Sequence, residues 1–232
     1  MIKTINKTNN LSGQLTFGSN LYQKASHLLV KGIPFLPSFG KYNITICHEK
    51  KFVWFRVAKV GTRTIFDVLK ISGIHLDAEH PMFCHYPKSM YNNYFKFAFV
   101  RNPYDRLVSC WRNKVVDSNA FGFSDEELLE MQNFEHFVDF VATQNIEKCN
   151  IHFRSQSKLI DLNSVNYIGR FENFEKDLSH VFKTMNIDFQ QITKKNVSSK
   201  NKLNYRDYYN DSLRAKVAKI YEKDLNIFSY DF

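Results

Sequence analysis

Two kinds of apolar pattern alternate along this chain. The first kind is the mainly apolar run of strand length: FVWFRV (52–57), interrupted only by Arg56, FKFAFV (95–100), VNYIGR (165–170), and a short NITIC (43–47). Runs of this length without polar alternation are expected as strands covered on both faces. The second kind has helical spacing. Ile65, Phe66, Val68 and Leu69 share one face of a helix that Gly61 or Thr62 can cap. Pro103 suits the first turn of another helix, in which Leu107, Val108, Trp111 and Val115 line one side. Ser124 and Glu127 have capping-box spacing for a helix reaching to about residue 131. NFEHFVDFVATQ (133–144) and FENFEKDLSHVFKTM (171–185) are further helical patterns, and a last helix is predicted over about 207–223.

Strands thus alternate with helices, and polar residues gather in the loops after strands. The pattern predicts an α/β fold: a single P-loop-like domain with a central parallel β-sheet flanked by helices. The domain is placed at 21–232, behind a polar N-terminal arm at 1–20. LLVKGIPFLP (28–37) is broken by Lys31, Gly32 and its prolines and is expected as a surface hairpin or an interfacial element. No apolar stretch reaches 18 residues, so no membrane-spanning helix is expected, and the first 20 residues lack a secretory apolar core. A soluble protein is expected.

Composition changes this picture little: 44% hydrophobic and 24% charged residues are ordinary for a globular domain. Charge changes it more. The net charge of +9 favours anionic partners, among them nucleotides, nucleic acid, acidic glycans and membrane surfaces. The four cysteines form no C-x-x-C pair, which argues against a zinc site and fits a reducing compartment.

In open α/β sheets ligands bind at the carboxyl ends of strands. Two loops fall there. In AKVGTRT (58–64), Gly61 permits close backbone approach, and the amides of Val60, Gly61, Thr62, Arg63 and Thr64 can point at a phosphate. Lys59 adds a charge, and the threonines add hydroxyls. In RNPYDR (101–106), Arg101 at the strand end can grip a phosphate bidentately, and Ser109 can reach the same anion. The Walker consensus G-x-x-x-x-G-K-[ST] is absent.

AKVGTRTIFDVL resembles the 5′-phosphosulfate loop of sulfotransferases that use 3′-phosphoadenosine 5′-phosphosulfate. FKFAFVRNPYDRLVSCW resembles their 3′-phosphate motif, specifically in the carbohydrate (Golgi-type, family 2) branch. The likeness continues through NIHFRSQS (150–157), YIGRFENFEKDL (167–178) and the tail from Tyr205, covering roughly residues 50–232. The resemblance implies that the loop at 58–64 holds the 5′-phosphosulfate and that Arg101 and Ser109 hold the 3′-phosphate. It also implies that Ser198 and Lys200, in the basic linker 194–202, touch the nucleotide.

Sulfuryl transfer requires a base for the acceptor hydroxyl, alignment of the transferred group, and stabilisation of the leaving phosphate oxygen. The resemblance assigns the last role to Lys59, and no metal is needed. Histidine suits the base because its pKa lies near neutrality. His85 ranks first, in the region where the resembled family often places an active-site histidine. His152 ranks second, and His80, the neighbour of His85, third, with His80 also assigned to the acceptor side. Arg154, Gln156 and Arg170 are assigned to acceptor or donor contacts, and Glu172 is either a further polar candidate or a helix cap.

The expected acceptor is a glycan or glycolipid, anionic in keeping with the net charge. No nucleic-acid partner is expected, a peripheral membrane contact is left open, and the oligomeric state is unassigned. With no anchor in sight, a cytoplasmic, bacterial protein is expected, or a Golgi-lumenal one if the chain is a truncated eukaryotic sequence. The rival readings are a P-loop small-molecule kinase and a non-catalytic anion or nucleic-acid binder on the same fold.

Overall fold

The computed structural model describes residues 42–78, 91–188 and 204–232. The N-terminal arm at 1–20, the domain start at 21 and the segment 28–37 lie outside these residues. Four strands form one sheet in the order β1 (Ile44–Cys47), β2 (Phe52–Phe55), β3 (Phe95–Val100) and β4 (Tyr167–Arg170). β2, β3 and β4 run parallel, as the buried apolar runs predict. β1 departs from the expected parallel sheet and pairs antiparallel with β2. The reason is covalent reach: residues 48–51 make a tight turn, whereas a parallel crossover needs a dozen residues or more.

The helices follow the strands. α1 (Thr62–Ile71) leaves β2, α2 (Pro103–Trp111) leaves β3, and α5 (Phe174–Thr184) leaves β4 through a 3-10 turn at Phe171–Asn173. Between β3 and β4 lie α3 (Asp125–Met131), α4 (Phe134–Thr143) and a π turn at Arg112–Val116 that extends α2. The capping box at Ser124 forms as its spacing predicts, with Ser124 and Glu127 each bonding the other's backbone N–H.

The last predicted helix is divided in two. A 3-10 turn at Tyr205–Tyr208 precedes α6 (Asp211–Ile220) and α7 (Glu222–Phe228). The Asn210 side chain accepts from Leu213 N at 2.7 Å and starts α6 afresh. Tyr221, with φ −110, breaks the path between the two helices.

Two apolar clusters hold the molecule. One packs the sheet against α1 and α5, with Trp54, Phe55, Phe97 and Phe99 wholly buried. Phe99 requires Gly169 on the neighbouring strand, because a Cβ there would lie 2.5 Å from its ring. The other cluster joins α2, α4 and α6 through Leu107, Trp111, Phe137 and Val217. The parallel register sets Phe55 beside Ala98 and Val100 beside Arg170. The loops leaving β2, β3 and β4 therefore emerge at one edge of the sheet.

Candidate active site

The first of these loops is closed from within. Val57 and Val60 are wholly buried, and the Thr62 hydroxyl donates to Val57 O at 3.0 Å. The chain turns between these anchors with Lys59 at φ 73 and Gly61 at φ 84. A non-glycine residue in this left-handed region is uncommon and strained. At Gly61 a second constraint is added, since a Cβ would meet the Phe174 ring at 2.6 Å. Gly61 is also the N-cap of α1, with no side-chain cap bond and no acidic residue in the first turn. The helix start thus offers amides without a competing carboxylate, which is the arrangement that binds anions. Thr64 is half-buried in that first turn, and Arg63 is exposed.

The Lys59 ammonium makes no hydrogen bond or ion pair among the described residues. Burial pushes its pKa down to about 8, and the positive charges of Arg101, Lys114 and Arg63 push the same way. Neighbouring Cys110, its thiol raised to about 12 by burial, stays neutral and contributes no counter-charge at neutral pH.

The second loop is built around Arg101, which is buried. Its Nε and Nη2 donate to the two carboxylate oxygens of Asp105, each at 2.7 Å, and Nη1 donates to Lys59 O at 3.1 Å. The Phe171 ring lies 4.2 Å beneath the guanidinium carbon. Three of the five N–H groups of the arginine are thereby used. Gln156 fixes the backbone of the same residue: its Oε1 accepts from Arg101 N at 3.0 Å and its Nε2 donates to Arg101 O at 2.8 Å. Ser109 lies two turns along α2 from Arg101 on the same face as Asp105, half-buried and without a side-chain hydrogen bond among the described residues.

Arg106 links the two loops to the segment at 150–154. It is only 1% exposed and donates to Ala58 O (3.0 Å), Arg154 O (2.8 Å) and Ile151 O (3.0 Å). Burial lowers its pKa, and Tyr221 and Asp224 partly offset this. Asp224, on α7, accepts from Gln156 N and from both N and Oγ of Ser157. The chain from 150 to 158 is therefore held from both sides.

His152 projects from that segment. Its Nδ1 lies 2.8 Å from Asn150 Oδ1, an acceptor only, so Nδ1 carries the proton and Nε2 keeps its lone pair. Burial lowers its pKa to about 4, helped by the positive charges of Lys114, Lys59 and Arg106. At neutral pH it is an uncharged imidazole within electrostatic reach of Lys59.

The other expected site residues fall elsewhere. Arg154 donates to the carbonyls of Lys148 and Cys149. Arg170 donates to Phe228 O and stacks on Tyr230, holding the C-terminal tail. Glu172 accepts from Asn102 N at 2.7 Å and from the Tyr230 hydroxyl at 2.8 Å, which makes it a loop brace. His80, His85, Ser198 and Lys200 lie outside the described residues. Sequence reading had passed over Arg106, Asp224, Lys114 and Asn150. Only Arg106 lay inside a motif already singled out, where it carried a signal for the taking.

A closed loop with a bare helix start, a lysine unpaired among the described residues and a neighbouring arginine loop make an arrangement suited to anions. The sulfotransferase family matches residues 42–231, and the chain belongs to that family. Among its relatives, carbohydrate sulfotransferase 11 of Mus musculus is 30% identical over 112 residues, 38% of this chain and 32% of that protein. Carbohydrate sulfotransferase 14 of Danio rerio is 27% identical over 107 residues, 38% of this chain and 29% of that protein. Carbohydrate sulfotransferase 12 of Xenopus laevis is 23% identical over 177 residues, 63% of this chain and 42% of that protein. The first-named matches span about a third of the length of those relatives. No solved structure matches the chain significantly.

These relatives are vertebrate proteins, and they overturn the expectation of a cytoplasmic, bacterial protein. That expectation rested on a missing anchor, and a missing apolar span does not assign a compartment. Among the described residues no helix is long and apolar enough to cross a membrane.

Proposed function

We propose that this chain transfers a sulfuryl group from 3′-phosphoadenosine 5′-phosphosulfate to a hydroxyl of a carbohydrate acceptor. The observation that carries the reading is Lys59: a half-buried ammonium without a partner among the described residues, in a closed loop at the start of α1, in a chain of the sulfotransferase family. The carbohydrate class comes from the relatives, whose names place them among carbohydrate sulfotransferases.

The residues present fit such a donor. The loop and α1 amides from Val60 to Thr64, together with Lys59, suit the 5′-phosphosulfate. The two unused N–H groups of Arg101 and the Ser109 hydroxyl suit the 3′-phosphate. Ser198 and Lys200 belong to the same proposal. When bound, the donor supplies an activated sulfuryl group and a phosphate leaving group. Lys59 stabilises negative charge where it builds on the leaving oxygen, and its desolvation strengthens that interaction. Neutral His152 can take the acceptor proton at Nε2, while Asn150 fixes the tautomer. His85 remains a second candidate for the base. Arg101, Gln156 and Arg106 hold the loops at the required spacing. His80 belongs to the acceptor side of the proposal, whereas Arg154 and Arg170, engaged with backbone carbonyls, brace the segment at 150–154 and the C-terminal tail.

Incubation with the donor and a panel of oligosaccharides, followed by mass spectrometry, tests the reading. Sulfated sugar is the expected product. Magnesium-dependent transfer of phosphate from ATP, with no sulfation, would overturn it in favour of a kinase.

A further inference from the structure

The segment that follows α7 crosses the start of α2. It turns at Ser229, which takes a left-handed φ of 51 where the helix ends. A serine is strained there, and such a turn persists only where its surroundings hold the chain on both sides. Residues of Phe228–Phe232 supply that hold. Arg170 donates to Phe228 O and sets its guanidinium 4.6 Å from the centre of the Tyr230 ring. The Tyr230 hydroxyl donates to Glu172 Oε2 at 2.8 Å, and Asp231 O accepts from Asn102 Nδ2 at 2.7 Å. The Phe232 ring stands edge-on to Tyr104, Tyr205 and Tyr209, with centroids 5.0, 5.8 and 5.4 Å away.

These contacts close a ring around the residue next to Arg101. Glu172 Oε1 accepts from Asn102 N at 2.7 Å, Glu172 Oε2 accepts from Tyr230, and the carbonyl of Asp231 returns to the Asn102 side chain. The Asn102 Oδ1 accepts from Tyr104 N at 3.0 Å, in the first turn of α2. Phe171, which precedes Glu172, lies beneath the Arg101 guanidinium. The turn at Phe171–Asn173 therefore grips the Arg101–Asn102 pair twice, with a ring under one side chain and a carboxylate on the next backbone N–H. Gln156 and Asp105 hold Arg101 directly. The ring sets the residue after it and the aromatic face beneath it.

Phe232 by itself secures the segment to the cluster around α2, by burying apolar surface. The polar ring adds direction. It fixes Phe171 and Asn102 against the arginine whose two unused N–H groups suit the 3′-phosphate, and bidentate recognition tolerates little displacement.

We infer that Phe228–Phe232 is a strap that positions Arg101 for the 3′-phosphate, with Glu172 and Tyr230 as its positioning residues. The inference rests on the donor site proposed above and gives it a reciprocal property: seating of the strap and binding of the 3′-phosphate favour each other. ADP lacks that phosphate and serves as the control.

The test is calorimetric binding of 3′,5′-adenosine bisphosphate and of ADP to the wild type, Tyr230→Phe, Glu172→Ala and Glu172→Gln, with melting temperatures alongside. Tyr230→Phe keeps the ring on Arg170 and removes only the hydroxyl. It should lose roughly 3- to 10-fold in affinity for the bisphosphate, the size of one hydrogen bond, with ADP binding unchanged. Glu172→Ala should lose more. Glu172→Gln, which keeps an oxygen for Asn102 N, should lose less than Glu172→Ala. Hydrogen exchange reads the reverse direction. Peptides spanning 224–232 of the wild type should exchange more slowly with the bisphosphate than with ADP, and the difference should shrink in Tyr230→Phe. Lower melting temperatures with the nucleotide preference intact would reduce the segment to a structural clamp and overturn the inference, as would equal exchange with the two nucleotides. A wild type with no preference for the bisphosphate would defeat the donor reading itself, and the role of the strap with it.

Discussion

The loops after β2 and β3 carry similar cations in different states. Lys59 in the first has no side-chain partner among the described residues and is desolvated down to a pKa of about 8. Arg101 in the second is tied to both oxygens of Asp105, to Lys59 O and to the Phe171 ring. One cation is left ready for charge that appears during reaction. The other is fixed in place first and retains only part of its donor capacity for a ligand. The difference shows why two basic residues in neighbouring loops are not equivalent: under the proposed transfer reaction, one is suited to catalysis, the other to architecture and recognition.

The largest effect expected from breaking this contrast is at Lys59. Lys59→Met should slow transfer by roughly 10²–10³-fold, about 3–4 kcal/mol, as loss of a preorganised charge does. Its melting temperature should hold or rise, because an unpaired, partly desolvated charge is removed. Arg101→Met should weaken donor binding and, unlike Lys59→Met, lower stability as well. It should cost on the order of 2–3 kcal/mol of stability in a denaturant titration, because Asp105 and Lys59 O lose their donors. Gly61→Ala comes next. The left-handed φ and the Phe174 ring together should cost roughly 1–3 kcal/mol and misplace the first loop, lowering transfer and stability in parallel.

A smaller effect, visible in the pH profile, sharpens the contrast. Lys59 must be protonated to stabilise the leaving group, and His152 must be neutral to accept a proton. The rate should therefore rise through a pKa of about 4 and fall through about 8. An acid limb near 6.5, the ordinary histidine value, would exclude His152 and point to His85. Stability carries the same signature. The folded pKa of His152 lies below its unfolded value, so the unfolded chain takes up the proton first as pH drops. Stability should fall between about pH 6.5 and 4, and less so in His152→Asn.

The strands and the first loop were legible in the sequence because their causes are local. β2 is an unbroken apolar run, β3 is one interrupted only by Lys96, and Gly61 sits where only a residue without Cβ fits. The antiparallel β1 was not legible as such, since its direction depends on a turn at 48–51 and not on the apolar pattern. The division of the last helix at Tyr221 left no mark in the apolar pattern, whereas the Asn210 cap, which accepts from Leu213 N three residues on, was a local signal passed over. Arg106 escaped notice because an arginine in a helical pattern reads as solvent-facing, and its three carbonyl partners are 45 to 48 residues distant in the chain. The bonds of Gln156 to the Arg101 backbone span 55 residues and are equally hidden. Local signals revealed the loops, and long-range hydrogen bonds decided which polar side chains remained free within them.

The most direct test of the account is calorimetric binding of 3′,5′-adenosine bisphosphate against ADP, in the wild type and in Ser109→Ala. Ser109 is the cleaner position to change because its hydroxyl makes no hydrogen bond among the described residues. The account predicts that the wild type prefers the bisphosphate by at least ~10-fold and that Ser109→Ala loses most of this preference with its fold intact, as for one charge-assisted hydrogen bond. Equal affinity of the wild type for the two nucleotides would contradict it.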